Sequence, residues 1–196
     1  MAWQARPLRR LGRAFSCPGA VGFVIFLGLA VAYGPAVQAQ EIGRPIYDPN
    51  TKSYFELRND NRSGYWEDAH RLAASKVYRG VRGRLAVVNS AAVHSFLRRT
   101  FKLASDQPTW IGLRYWCKYR KLQWVTGRLH VRGEYSNWNR PWYNHPETVC
   151  GKGATTLEKG YMPVFYSPTE RGFRWKAAGA GKGFIHYFVE YPTGQE

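Results

Sequence analysis

The feature that most constrains the fold is a change of periodicity near residue 109. Before it, apolar residues recur at helical spacing in two segments. These predict one helix over Trp66–Val77 and a second with an apolar stripe of Val93, Phe96, Leu97 and Phe101. After it, short aromatic or β-branched segments bounded by turn residues predict strands. Together with two earlier short segments, the predicted strands are Tyr54–Leu57, Leu85–Val88, Thr109–Leu113, Leu122–Val125, Tyr161–Tyr166 and Phe184–Glu190. Two helices followed by a strand-rich half indicate an α+β domain.

Local signals agree with both predicted helices. Glu67 and Asp68 lie in the first turn of the first helix, where the helix dipole favours acidic side chains. Asn89-Ser90 offers a cap immediately before the second helix. Between about residues 137 and 160 the chain is rich in Asn, Pro and Gly, with no regular periodicity. A long irregular segment inside a small domain is usually a functional loop or a flexible one.

The first 39 residues have the order of a secretory signal peptide. A basic start is followed by the apolar segment Pro18–Tyr33, a Gly34-Pro35 break and the small-residue site Val37-Gln38-Ala39. We expect cleavage after Ala39 and a secreted or periplasmic mature protein. The alternative is an uncleaved single-pass membrane anchor, since Pro18–Ala39 is just long enough to span a bilayer.

The cysteines suggest one disulfide bond. Cys17 lies in the leader and should be lost with it, which leaves Cys117 and Cys150. In an oxidising compartment such a pair usually forms a bridge. The alternative is two unpaired buried thiols. No neighbouring spacing supplies the four ligands of a familiar zinc site.

The charge balance points to an anionic partner. The 196 residues carry a formal net charge of +16, and the leader holds only four of the 29 Lys and Arg. Such a field concentrates polyanions: anionic glycans, acidic polysaccharide, nucleic acid or anionic membrane. An exported location argues against nucleic acid, and contact with a membrane is expected only through an uncleaved N-terminal segment.

Several motifs, in the right order, resemble the C-type lectin-like domain. They are Trp66-Glu67-Asp68-Ala69, Gly83–Ser90, the strand Trp110-Ile111-Gly112-Leu113, Gln123–Gly127 followed by Tyr135–Trp138, Gly172–Trp175, and Tyr187–Tyr191. The resemblance implies two helices flanking small antiparallel sheets, with a long irregular loop region. It implies a domain over residues 54–192, with 40–53 as a lead-in segment and 193–196 as a tail. Independently, alternation places Trp110 and Ile111 on opposite faces of one strand, and Gly112 permits close backbone approach. Trp110, Trp124, Trp138 and Trp175 are expected to be core and loop-anchor residues.

The departures from this family bear on function. Its calcium-dependent lectins bind sugar with a Glu-Pro-Asn or Gln-Pro-Asp tripeptide in the long loop and an Asn-Asp pair after the last Trp. Here Lys176 and Ala177 follow Trp175, and the loop tripeptides are Arg140-Pro141-Trp142 and His145-Pro146-Glu147. Calcium requires several hard oxygen ligands, so we expect no cofactor and no calcium site. The usual family cysteines are also absent, so a Cys117–Cys150 bond would be particular to this chain.

A basic, aromatic-rich loop region is the candidate site. Cations bind carboxylate or phosphate, and aromatic faces stack on sugar rings. The candidate ligand-binding residues are Arg114, Trp116, Lys118, Arg120, Lys121, Arg140, Trp142, Tyr143, Asn144 and Glu147. The alternative is a solvated basic face with its aromatic side chains turned inward.

The expected function is binding rather than catalysis. The five histidines are scattered, with no paired carboxylate or nucleophile motif beside them. We therefore expect an exported, calcium-independent carbohydrate-binding module, with anionic polysaccharide as a candidate ligand. A protein-interaction module that uses the same loops without binding sugar is the alternative.

Overall fold

The computed structural model of the chain describes residues 42–102, 106–139, 150, 160–179 and 181–194. Its two α-helices are α1 (Trp66–Ala74) and α2 (Ala91–Thr100), and a short 3-10 turn, Asn61–Ser63, precedes α1. The strands in chain order are β1 (Ile46–Asp48), β2 (Ser53–Asn59), β3 (Val77–Tyr78), β4 (Val81–Arg82), β5 (Arg84–Leu85), β6 (Thr109–Trp116), β7 (Lys121–Trp124), β8 (Leu129–His130), β9 (Tyr161–Ser167), β10 (Arg174–Ala177) and β11 (His186–Tyr191). No helix in these described ranges has the length and apolar character that a membrane span requires.

Within the described residues, nine strands join in one mixed sheet. Its main path runs β1-β2-β11-β6-β7-β8, while β9 also pairs with β6, β10 with β9, and β5 with β11. The β11–β6 pairing is parallel and the other pairings are antiparallel. The α+β prediction is therefore confirmed, with β6 at the centre of the strand-rich half.

Alternation along β6 divides the core between the two faces of the sheet. Trp110 packs with α1 residues on one face, whereas Ile111 and Leu113 pack with Trp124 and Trp175 on the other. Trp110, Trp124 and Trp175 are fully buried, as expected. The fourth tryptophan of that set, Trp138, is half-buried and packs edge-on against Trp175 with ring centroids 5.3 Å apart.

Gly112 is required where three segments of backbone meet. A Cβ atom at this position would lie 2.6 Å from the Leu85 carbonyl oxygen and 2.8 Å from a Val125 methyl group. Its amide donates to the Ala86 carbonyl at 2.9 Å, and its carbonyl accepts from the Val125 amide at 2.8 Å. The predicted close backbone approach is therefore confirmed.

Several predicted boundaries were wrong. Helix α1 ends at Ala74 rather than Val77, because the chain turns at Ser75 and Val77 becomes an exposed residue of the β3–β4 hairpin. Of the predicted strand Leu85–Val88, only Leu85 lies in a ladder, since β5 spans Arg84–Leu85, although residues 86–88 are buried. Strand β11 begins at His186, two residues after the predicted start.

The starts of both helices agree with their sequence signals, whereas three short strands have no such signal. The Ser90 hydroxyl accepts from the Val93 amide and caps α2, and Glu67 and Asp68 lie in the first turn of α1, as expected. The strands β1, β8 and β10 are short and carry no clear alternation, and the sequence analysis did not assign them. Strand β1 lies within the segment 40–53 and pairs with β2.

Candidate functional site

The β6–β7 hairpin presents the candidate residues on two different faces. Cross-strand pairs alternate, so Arg114 lies opposite Gln123 on one face and Tyr115 opposite Leu122 on the other. The hairpin turn, residues 117–120, places Lys118, Tyr119 and Arg120 in solvent. The residues that adjoin in sequence therefore do not all lie in one site.

One face of the hairpin is closed. The Arg114 guanidinium carbon lies 4.6 Å from the ring centroid of Trp116, 5.3 Å from that of Tyr161 and 5.8 Å from that of Trp66. Arg114 and the Trp116 indole both donate to the side-chain oxygen of Gln123, at 3.3 and 2.8 Å. Arg114 and Trp116, which were predicted to bind ligand, therefore pack between the sheet and α1 instead.

An open groove of about 770 Å³ is lined by the Tyr115–Leu122 pair of the other face, by the turn residue Arg120 and by Lys121, the cross-strand partner of Trp116. We call it the β8 groove, because β8 and the turn that follows it form much of its wall. Its lining includes the cations Arg120, Lys121 and Arg132 and the apolar side chains of Tyr115, Leu122, Leu129, Val131 and Trp138, together with His130, Gly133, Glu134 and Ser136. Its size lies in the range of about 300–1,000 Å³ that is usual for small-ligand sites.

The only carboxylate that lines the described part of the groove is already paired. Arg128 donates to Glu134 at 2.5 Å, and the Val131 amide donates to the same carboxylate at 3.2 Å. Desolvation opposes ionisation, but these two donors and the charge of Arg128 hold the pKa of Glu134 below its usual value. The Glu134 carboxylate is thus ionised at neutral pH, and Arg128 balances its negative charge. Arg128 is not one of the three cations that line the groove.

His130 contributes a neutral polar group to the wall. Burial lowers the pKa of its imidazole, and its Nε2 lies 2.9 Å from the Ser136 hydroxyl. At neutral pH its 3.2 Å approach to Glu134 is therefore not an ion pair. The ring also packs edge-on against Trp124 and Trp175, so it links the groove wall to the core.

Three cations give the groove its charge. Arg120, Lys121 and Arg132 are exposed, and none makes an ion pair with another described residue. Arg120 also has a positive φ of 52°, in the left-handed region that non-glycine residues adopt at a cost of about 1–2 kcal/mol. The groove therefore combines uncompensated positive charge with apolar surface.

The start of the long loop is held by a polar network. Asn137 is buried, its side-chain nitrogen donates to the Phe173 carbonyl at 2.8 Å, and its side-chain oxygen accepts from Arg174. Its own carbonyl accepts from the Trp175 amide at 2.7 Å. These bonds fix Trp138, and with it one end of the groove, against β10.

The predicted disulfide is confirmed. Cys117 and Cys150 are bonded, with their Cα atoms 5.8 Å apart. Cys117 opens the turn that carries Arg120, and its amide donates to the Gly160 carbonyl at 3.1 Å. The bond therefore ties the turn beside the groove to the long loop.

Half of the predicted ligand residues lie outside the described part of the chain. These are Arg140, Trp142, Tyr143, Asn144 and Glu147. Of the others, only Arg120 and Lys121 line the groove, while Lys118 is exposed on the adjoining turn. Leu129, Val131 and Arg132 were missing from the candidate set, because their only signal is a β8 strand too short to show alternation.

The comparisons with known proteins point to one fold. Residues 73–163 match a family model described as "Lectin C-type domain". Human lithostathine is similar in structure, with a TM-score of 0.54 and 20% identity over 83% of this chain and 98% of that one. The carbohydrate-recognition domain of cow CD23 gives a TM-score of 0.51 and 20% identity over 78% and 95%. A search of curated protein sequences found no significant match.

Proposed function

The chain carries a C-type lectin-like domain, and from that premise we propose that it is an exported carbohydrate-binding module that needs no calcium and favours anionic glycans. The observation that carries the proposal is the β8 groove, where Arg120, Lys121 and Arg132 have no acidic partner in the described structure. Apolar groups lie beside these cations, so a ligand with both charge and an apolar face would be complementary.

Sugars bearing carboxylate or sulfate groups have both features. Guanidinium and ammonium groups form charge-assisted hydrogen bonds with such anions. The C–H faces of a pyranose ring can pack on Leu129, Val131 and Trp138, as apolar surfaces do in other small-ligand sites. The similar cow CD23 domain has been solved in the presence of a GlcNAc2Man3 oligosaccharide, which makes a glycan a reasonable class of ligand for this fold.

The proposal of calcium independence rests on the residues that follow Trp175. Lys176 and Ala177 continue β10 and supply an ammonium group and a methyl group where oxygen ligands would be needed. An ammonium group at a ligand position repels a divalent cation. We therefore assign ligand binding to the groove cations rather than to a bound metal.

The proposed location follows from the disulfide and the leader. Disulfide bonds form and persist in oxidising compartments, and the Cys117–Cys150 bond with a lectin-like domain fits an extracellular or secreted protein. Residues 1–39 have the order of a secretory signal peptide. We therefore include export to the periplasm in the same proposal.

A glycan array read in calcium and again in chelator tests this function. We expect signals confined to carboxylated and sulfated glycans, unchanged by chelator. The Arg120→Ala/Lys121→Ala double variant should lose those signals, whereas Arg79→Ala/Arg82→Ala, which removes two exposed cations from the β3–β4 hairpin, should keep them. Signals that vanish in chelator would contradict calcium independence. An array without any signal, together with a protein that co-purifies specifically, would favour the protein-interaction alternative.

A further inference from the structure

A second basic surface begins beside the β8 groove. Tyr135 lies between the groove residues Glu134 and Ser136 in sequence and is half-buried. Its ring packs edge-on against Trp175, with centroids 5.9 Å apart, and lies 6.1 Å from the ring of His94 on α2. Tyr135 therefore connects the groove wall with helix α2.

Arg98 lies on the same face of α2 as His94. The two residues are four positions apart, which places their side chains one above the other along the helix. Arg98 is exposed and makes no ion pair in the described part of the protein. Its charge is therefore free to bind an anion beside His94.

Arg174 approaches the same place from β10. It donates to the Asn137 side-chain oxygen and to the Arg171 carbonyl, at 3.1 Å for the latter. Both acceptors are neutral, so these bonds position the guanidinium without cancelling its charge. The Asn137 side-chain nitrogen also lies 3.3 Å from His94 Nδ1. Two arginines from different elements therefore lie close to His94, whose ring lies beside Tyr135.

We propose that Arg98, Arg174 and the Tyr135 hydroxyl form a second anion subsite, which takes a carboxylate or sulfate group of the same glycan chain that occupies the β8 groove. This inference rests on the proposed function and deepens it. The ligand is then an extended anionic polysaccharide with charged groups along its length, rather than a single terminal sugar.

The pKa shifts of His94 and Tyr135 support the placement of both arginines close to these two residues. Burial, followed by the charges of Arg98 and Arg174, lowers the pKa of His94 to about 4. Burial raises the pKa of Tyr135 to about 12, and the same two arginines act against that rise. The charges of both arginines therefore lower the pKa of His94 and of Tyr135. An anion bound between the arginines should raise the pKa of His94.

Oligogalacturonates of two lengths, a dimer and an octamer, test the subsite in chelator-containing buffer. We expect the octamer to bind at least about tenfold more tightly than the dimer, since one added charge-assisted contact contributes about 1.5–3 kcal/mol. Arg98→Ala should remove most of that gain and leave dimer affinity unchanged. The matched control Arg82→Ala removes one exposed arginine from the β3–β4 hairpin and should preserve the gain. The same comparison of short and long chains should be repeated with heparin-derived oligosaccharides, which carry sulfate groups.

The NMR titration of His94 supplies an independent readout. Its pKa should rise in Arg98→Ala, and in the wild type it should rise when the octamer binds but not when the dimer binds. Equal affinity for dimer and octamer, or an equal effect of Arg98→Ala and Arg82→Ala, would overturn the second subsite while leaving the groove intact. Failure of both series to bind at any length would overturn both the subsite and the proposed function.

Discussion

The closed face of the β6–β7 hairpin and the β8 groove beside it carry the same residue types in opposite roles. On the closed face, Arg114 is surrounded by three aromatic rings and hydrogen-bonded to Gln123. In the hairpin turn, Arg120 lines the β8 groove and has no ion-pair partner in the described structure. A basic, aromatic-rich segment thus contains both packing residues and groove-lining residues. The period of two along the strand separates Arg114 from Tyr115, whereas Arg120 is available because it lies in the turn.

The largest expected effect is on the core beneath the closed face. Trp110→Ala removes a fully buried indole from the cluster around α1 and should lower the free energy of unfolding by about 3–5 kcal/mol. Chemical denaturation monitored by circular dichroism measures this. Tyr119→Ala, at a residue 60% exposed on the hairpin turn, is the control and should change stability by under about 0.5 kcal/mol. Equal effects for the two variants would contradict the division into two faces.

Breaking the disulfide should have the next largest effect. On chain-entropy grounds, a bond that closes a loop of 33 residues stabilises the fold by about 3–4 kcal/mol. Denaturation midpoints with and without reductant should differ accordingly, and Cys117→Ser/Cys150→Ser should match the reduced wild type. A reduced protein as stable as the oxidised one would show that the turn and the long loop are held by other contacts.

Arg114 and Arg120 provide a direct contrast between the closed face and the β8 groove. Arg114→Ala removes cation–π contacts with three rings and should cost about 1–3 kcal/mol of stability, with no change in the salt dependence of glycan binding. Arg120→Ala should leave stability within about 0.5 kcal/mol and weaken binding. Thermal melts and titrations of both variants measure the contrast. A binding loss from Arg114→Ala in protein that remains folded would place that residue in the site after all.

A smaller gain in stability concerns the backbone of Arg120. Because its φ is +52°, Arg120→Gly should relieve strain and raise the free energy of unfolding by up to about 1 kcal/mol, while glycan affinity falls. Arg79→Gly is a matched control, since Arg79 also has a positive φ (49°) and carries one charge, but lies on the β3–β4 hairpin. Its glycan affinity should stay unchanged. Parallel loss of affinity in both glycine variants would indicate a response to net charge alone.

The core of the fold could be predicted from the sequence because its signals are local and redundant. Trp110, Gly112 and Trp124 lie in segments where burial, alternation and turn residues agree, and the structure places each as expected. The end of α1 was harder to predict, because Val77 continues the helical spacing although the chain has already turned at Ser75.

The site was less predictable because it depends on which strands become neighbours. Arg132 and Val131 line the groove only because β8 pairs with β7, through two residue pairs that no local pattern indicates. Arg114 and Trp116 were chosen for their chemistry, but their face is covered by Trp66 and Tyr161, which come from distant parts of the sequence. Residue type predicts the chemistry of a surface, whereas long-range packing decides which side chains remain available.

The salt dependence of anionic glycan binding tests the central claim most directly. Affinity for an acidic oligosaccharide should be measured by calorimetry over a series of salt concentrations, with chelator present throughout. We expect wild-type affinity to fall steeply with salt, because exposed charge contacts are screened over a Debye length of about 8 Å at physiological ionic strength. Arg120→Ala/Lys121→Ala should bind more weakly with a flatter slope, and Arg79→Ala/Arg82→Ala should retain the wild-type slope. Affinity independent of salt, or a slope unaffected by the loss of Arg120 and Lys121, would contradict an anion-binding β8 groove.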